Sequence, residues 1–239
     1  MFDNSRRGRL RRMAVALAGA LLVITAGGPA VAETFPGTID TPCAARTLPI
    51  HADWYLPAAV PRALIWLQHG FARSAANVAD LARHYAEAGY LVFAPSIPSV
   101  ELSGCTLQNV TGNTGFLTGL ADLFDPDSPT GLSTALADSA RNAGLPAPDM
   151  PQRWVFVGHS AGGEAVEYVA AQLLQHHDIA SHLAGLVLLD PVASFVGDNT
   201  TRALAELDGT ALPILAVSGP PALCNNFGSG TAALQAGLH

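Results

Sequence analysis

Arg153-Trp154-Val155-Phe156-Val157-Gly158-His159-Ser160-Ala161-Gly162-Gly163 decides how this chain is read. An apolar run leads into a Gly-x-Ser-x-Gly turn, and small residues then open a segment with helical spacing. A serine on so sharp a strand-to-helix turn sits in strained backbone, and the residues two before and two after it come close to neighbouring strand and helix. Gly158 and Gly162 occupy those two positions, where a side chain would clash. The turn lifts the Ser160 hydroxyl clear of a sheet and sets it at a helix N-terminus, whose unpaired N–H groups favour negative charge.

Working outward, four more short apolar runs are bounded by turn residues: Ala63 to Gln68, Tyr90 to Ala94, Leu183 to Leu189 and Leu212 to Val217. Runs of this length without alternation are expected of strands buried on both faces. Helical spacing fills the intervals, at Asn77 to Ala88, Asn113 to Phe124, Leu132 to Asn142, Gly163 to Gln175 and Thr201 to Leu207. Alternating strand and helix predicts an α/β class fold, a mainly parallel sheet with helices on both faces. Thr38 to Leu56 reads as a preceding pair of strands. The stretch 95–151, richer in Gly, Pro, Ser, Thr and Asn, is expected to hold loops and short helices that roof a site above the sheet.

Composition supports one sizeable core. Of 239 residues 49 % are apolar and 13 % charged, which excludes a disordered chain, a collagen-like repeat and a disulfide-dense miniprotein. All twelve basic residues are Arg, and Arg6, Arg7, Arg9, Arg11 and Arg12 precede the apolar stretch Met13 to Gly28 and the Ala30-Val31-Ala32 sequence. That order is expected of an export signal over residues 1–32, and hence of a secreted or periplasmic protein. The apolar run is short of the ~20 residues a spanning helix needs, and no later stretch is long and apolar enough to cross a membrane. Residues 33–239 then carry seven Arg against eighteen Asp and Glu, a formal charge of −11, which argues against nucleic acid as a partner. Cys43, Cys105 and Cys224 allow one bridge in an oxidising compartment and leave its pairing open.

Two further segments carry chemistry. At Gln68-His69-Gly70-Phe71 the first central strand ends in a His-Gly pair and a loop. Acyl transfer needs two backbone N–H groups aimed at the tetrahedral oxyanion, one from the residue after the nucleophile and one from such a loop. Ala161 and Phe71 are the candidate donors. His69 is expected to stabilise the loop.

With these residues in place, the chain resembles the α/β-hydrolases, and among them the exported chlorophyllase-like and polyester-hydrolase-like esterases. The resemblance rests on Gln68-His69-Gly70-Phe71, Gly158-His159-Ser160-Ala161-Gly162-Gly163 and Leu188-Leu189-Asp190-Pro191-Val192, and covers most of residues 46–222. It implies a carboxylate after the serine in chain order to hold a histidine in the right tautomer. The loop after Leu212 to Val217 has no carboxylate, so Asp190, at the end of the preceding run, is the candidate, and the resemblance points to the same residue.

The base departs from the pattern, because His239 is the sole histidine after Asp190. By resemblance one more strand and a histidine-bearing loop would follow, so three sources stay open: a chain that is a truncated form of such an enzyme, His239 itself, or an earlier histidine. Neither HExxH, a Walker-type loop nor a strand-linked GxGxxG occurs, and no metal or cofactor is expected. The expected function is cleavage of a small-molecule, lipid or polyester ester through Ser160. The alternative is a secreted, non-catalytic protein that uses the same scaffold for binding.

Overall fold

The computed structural model describes residues 33–239, so the expected export signal lies outside the described residues. Seven strands form one sheet: β1 (Glu33–Cys43), β2 (Arg46–Leu56), β3 (Leu64–Gln68), β4 (Leu91–Pro95), β5 (Trp154–His159), β6 (Leu183–Leu189) and β7 (Ile214–Val217). Their order is β1-β2-β4-β3-β5-β6-β7. The β1–β2 and β2–β4 pairings are antiparallel, and the rest are parallel. The helices are α1 (Ala79–Glu87), α2 (Thr114–Ala121), α3 (Leu132–Asn142), α4 (Ala161–Leu174), α5 (His177–Ala180), α6 (Asn199–Leu207) and α7 (Ser229–Gly237). This is the mainly parallel, helix-covered sheet that the alternation predicts.

Why the apolar runs do not alternate is now physical. Leu64 and Trp66 of β3, Leu91 and Phe93 of β4, and Trp154 and Phe156 of β5 face the core under α2, α3, α4, α6 and α7. Their neighbours Ile65, Leu67, Val92, Ala94 and Val157 face the other side, where α1 contributes Ala82 and Ala86. Trp66 and Phe156 meet edge-on at 5.0 Å and Phe124 packs on Phe156 at 4.7 Å. Such pairs add about 0.5–1.5 kcal/mol each beyond burial, and they lock together the two strands that lead to the site.

Within 95–151, α2 and α3 pack against β1 and the main core. The part that lies beyond the carboxyl ends of the strands is 96–113, tied down by the Cys43–Cys105 disulfide. Among the described residues no helix is long and apolar enough to cross a membrane.

Candidate active site

β5 ends at His159, α4 begins at Ala161, and Ser160 between them has φ 56° and ψ −123°. A side chain at positive φ costs of order 1–3 kcal/mol and persists only where its surroundings over-determine it. The glycines show how. A Cβ at Gly158 would lie 2.3 Å from the Gly162 carbonyl oxygen, and one at Gly162 would lie 2.5 Å from the His69 oxygen. The Ser160 backbone is stitched on both sides: its N–H donates to the Leu189 oxygen at 3.0 Å, and its oxygen accepts from Gly163 at 2.8 Å and Val192 at 3.1 Å.

The β3 loop comes equally close. A Cβ at Gly70 would meet the Ser160 Cβ at 2.9 Å, so only glycine lets this loop lie against the nucleophile candidate. His69 is buried, with Nδ1 2.8 Å from the Gly70 oxygen. Burial pushes its pKa down against the opposing pull of that hydrogen bond, so the ring is neutral at pH 7 and Nδ1–H donates to hold the turn. Ala72 follows at φ 55°, its N–H given to the Ser99 hydroxyl at 2.8 Å. Among the described residues, neither the Phe71 nor the Ala161 N–H has a protein acceptor. Both expected oxyanion donors are therefore unpaired beside Ser160.

Asp190, at φ 49°, follows β6 directly. Its N–H donates to the Val217 oxygen at 2.7 Å, and its Oδ1 accepts from the Gly219 N–H and from Asn225 Nδ2, each at 3.1 Å. Asn225 is a residue the sequence reading missed. It is buried, and its Oδ1 accepts from the Ala222 and Gly228 N–H groups at 2.8 and 3.1 Å. It opens Asn225-Asn226-Phe227-Gly228, a run bent through left-handed backbone at Asn226 and Phe227. Among the described residues, five of the six non-glycine residues with positive φ (Ala72, Ser160, Asp190, Asn226 and Phe227) lie beyond the carboxyl ends of β3, β5, β6 and β7. The strain is collected at this one end of the sheet.

The histidines separate by position. His239 is bound to Asp208, with its N–H 2.7 Å from Oδ1 and its Nδ1 3.5 Å from Oδ2. Asp208 precedes β7, at the end of the sheet opposite Ser160, so the geometry removes His239 as a base. His182 also precedes its strand, stacked on Trp154. His84 lies on α1, and His51 pairs with Asp53 on β2, three strand positions from β5. His159 adjoins Ser160. Burial lowers its pKa, the Asp190 charge opposes that fall, and Arg73 reinforces it, which leaves a neutral imidazole at pH 7. Among the described side chains no histidine hydrogen-bonds Ser160 Oγ or the Asp190 carboxylate.

A buried carboxylate on α4 ties these pieces together. Glu164 Oε2 accepts from the Ser194 N–H at 2.7 Å and the Thr200 hydroxyl at 2.8 Å, and Oε1 accepts from the Ser194 hydroxyl at 2.6 Å. Ser194 Oγ in turn accepts from the Asn109 N–H at 2.9 Å, which docks the 96–113 segment onto the loop after Asp190. Glu167, one turn on, is buried with Oε1 unpartnered, and burial with the nearby Glu164 charge raises its pKa to about 8. It is neutral at pH 7. Among the described residues no cluster of three or more His, Cys, Asp or Glu is arranged to hold a metal ion.

No family model and no curated protein matches the chain. Solved structures do. A thermostable esterase from Pseudomonas putida ECU1011 is similar over 88 % of this chain and 71 % of its own, at 16 % identity and a TM-score of 0.55. The esterase Est22 is similar over 87 % of this chain and 56 % of its own, at 15 % identity and a TM-score of 0.47. A carboxyl esterase from Bacillus coagulans is similar over 71 % and 48 %, at 18 % identity and a TM-score of 0.41. The chain thus spans about half the length of the last two. The strand order and the first of these likenesses show that the fold is that of the α/β-hydrolases.

Proposed function

We propose that the protein is a serine hydrolase that cleaves carboxylic esters. One observation carries the reading: Ser160 sits at positive φ on a strand-to-helix turn, with the unpaired Phe71 and Ala161 N–H groups beside it. Ser160 Oγ attacks the acyl carbonyl, the two N–H groups stabilise the oxyanion, the alcohol leaves, and water releases the acyl group. Asp190 orients a histidine base, its Oδ1 fixed by Asn225 and Gly219. Leu188-Leu189-Asp190-Pro191-Val192, with the acid after β6, supports the chlorophyllase-like branch. The sequence of residues 1–32 supports export, and the Cys43–Cys105 disulfide fits an oxidising compartment.

A second reading, a non-catalytic binder on the same scaffold, is favoured by the absence of a histidine hydrogen-bonded to Ser160 or Asp190 among the described side chains. Turnover of a short-chain chromogenic ester separates the two. Ester cleavage that falls by ~10⁶-fold in Ser160→Ala supports the hydrolase, since triad members act as a unit. A folded protein with no turnover above that variant supports the binder. His159→Asn tests the one described histidine that adjoins the nucleophile. Loss of kcat at unchanged KM assigns it the base, and an unchanged rate assigns the base to a histidine from elsewhere.

A further inference from the structure

The positive charges of the described residues are unequally satisfied. Of their seven Arg, four (Arg46, Arg83, Arg141 and Arg202) pair with a carboxylate. Arg62 and Arg153 stand just before β3 and β5, at the end of the sheet opposite Ser160. Arg73 remains. It lies at the Ser160 end, two residues after the expected oxyanion donor Phe71, exposed and with no ion-pair partner among the described residues. Hydrogen bonds hold its backbone on both sides. The Ala72 N–H donates to Ser99 Oγ at 2.8 Å, the Ser74 N–H to Asn77 Oδ1 at 3.0 Å and the Ala75 N–H to Ser96 Oγ at 3.0 Å. The same loop touches the elbow, since a Cβ at Gly70 would meet Ser160 Cβ at 2.9 Å and His159 Nδ1 at 3.0 Å. At His159, where burial lowers the pKa and Asp190 opposes it, the Arg73 charge adds to the lowering, so the guanidinium acts across to the residue beside Ser160.

Topology separates this cation from the candidate acid. In the order β4-β3-β5-β6, the Arg73 loop follows β3 on one flank of β5, and Asp190 follows β6 on the other. Residues 64–78 contain no Asp or Glu, and Glu101, the one acidic residue of 96–113, is held by Arg46 at 2.7 Å. A guanidinium left without a carboxylate beside a nucleophile can take one from the substrate, because its planar fork matches that group. One such cation, on residues 33–239 of formal charge −11, balances a single negative charge, which favours a carboxylate over a phosphate dianion. Two residues of extended chain span at most about 7 Å, so a carboxylate a few methylenes from the scissile carbonyl falls within the side chain's reach. We propose that Arg73 selects esters that carry a second, ionised carboxyl group, such as half-esters of short dicarboxylic acids, and holds that carboxylate on the β3 flank of Ser160. The inference rests on the ester-cleaving reading for its purpose, and the selection itself can be measured as binding without turnover.

The test is titration of the full-length Ser160→Ala chain, followed by NMR, with monobutyl glutarate and with its uncharged counterpart, butyl methyl glutarate. The expected result is binding of the half-ester about five-fold tighter or more at low salt, a preference that shrinks at high salt because the pair is exposed. Adding Arg73→Gln brings the ratio of the two affinities to about one, while adding Arg153→Gln leaves the preference in place. Both positions are exposed, and unchanged thermal melting confirms that the fold is intact. Equal affinity for the two esters, binding of neither, a preference that survives Arg73→Gln, or one lost equally in Arg153→Gln overturns the inference. Butanol release by the unsubstituted chain separates this from the reading it rests on. Turnover of butyl methyl glutarate without any preference leaves the hydrolase reading standing and only the selection fails. A preference in binding with no turnover of either ester keeps the selection and removes the hydrolase.

Discussion

β5 and β7 run parallel in the same sheet with only β6 between them, yet they meet their surroundings in opposite ways. β5 is buried from Trp154 to Gly158 except for a half-buried Val155, and the helix it feeds, α4, is buried along almost its whole length. On β7, Leu215 and Val217 are each 59 % exposed, on the face that they share with Val187 and Leu189, and the outer edge of β7 has no partner strand among the described residues. The difference shows where the site's geometry is guaranteed. Strain at Ser160 is held by glycine contacts inside packed core, whereas Asp190 takes its hydrogen bonds from Val217, Gly219 and Asn225 on the sparsely covered side. The nucleophile is fixed by burial and the acid by a loop.

That contrast can be broken most severely at Gly162. Gly162→Ala places a Cβ 2.5 and 2.7 Å from two backbone oxygens that cannot both move, and is expected to cost about 3 kcal/mol or more and to leave little folded protein at 37 °C. Chemical denaturation of the soluble fraction measures it. A native midpoint would mean that the elbow is less constrained than the contacts require.

Glu167 gives an effect that depends on pH. Its folded pKa is raised to about 8 from an ordinary 4.5, so between these values the folded protein holds a proton that the unfolded chain has released. Stability therefore falls as pH rises through that window, by at most about 1.4 kcal/mol per unit, and levels off above about 8. Glu167→Gln removes this slope. Melting temperatures of the two proteins should diverge from pH 5 to about pH 8 and run parallel above it, and curves parallel throughout would place Glu167 in contact with water or a cation.

The smallest effect is expected on the open side. Leu215→Ser changes stability by no more than about 0.5 kcal/mol, because most of the side chain is already in water, and it reduces self-association through the exposed face and edge. A loss of several kcal/mol in equilibrium unfolding would show that β7 is covered in solution.

Much of the fold is legible in the sequence because buried parallel strands leave a strong trace. Leu183 to Leu189 and Leu132 to Asn142 match β6 and α3 residue for residue. The start of α4 is less legible. Its Ala-Gly-Gly opening reads as turn, yet the small residues are there because strand, helix and the Asp190 loop converge on them, with a Cβ at Gly163 only 2.8 Å from the Pro191 side chain. β7 begins two residues later than its apolar run, since Pro213 has no N–H to give and contributes only its oxygen to Leu186. Asn225 carries no charge and no motif, and its part at Asp190 emerges only when the chain folds back 35 residues. Burial of Glu164 and Glu167 was equally hidden, because two acidic residues three apart look like a solvated helix face until α2 and α6 close over α4.

Reaction with a serine-directed fluorophosphonate, followed by peptide mass spectrometry, tests the account most directly. The expected result is a single adduct on Ser160, formed by the folded protein and lost on denaturation. A folded chain that stays unlabelled under conditions that modify other serine hydrolases, or one labelled at a different residue, would contradict it.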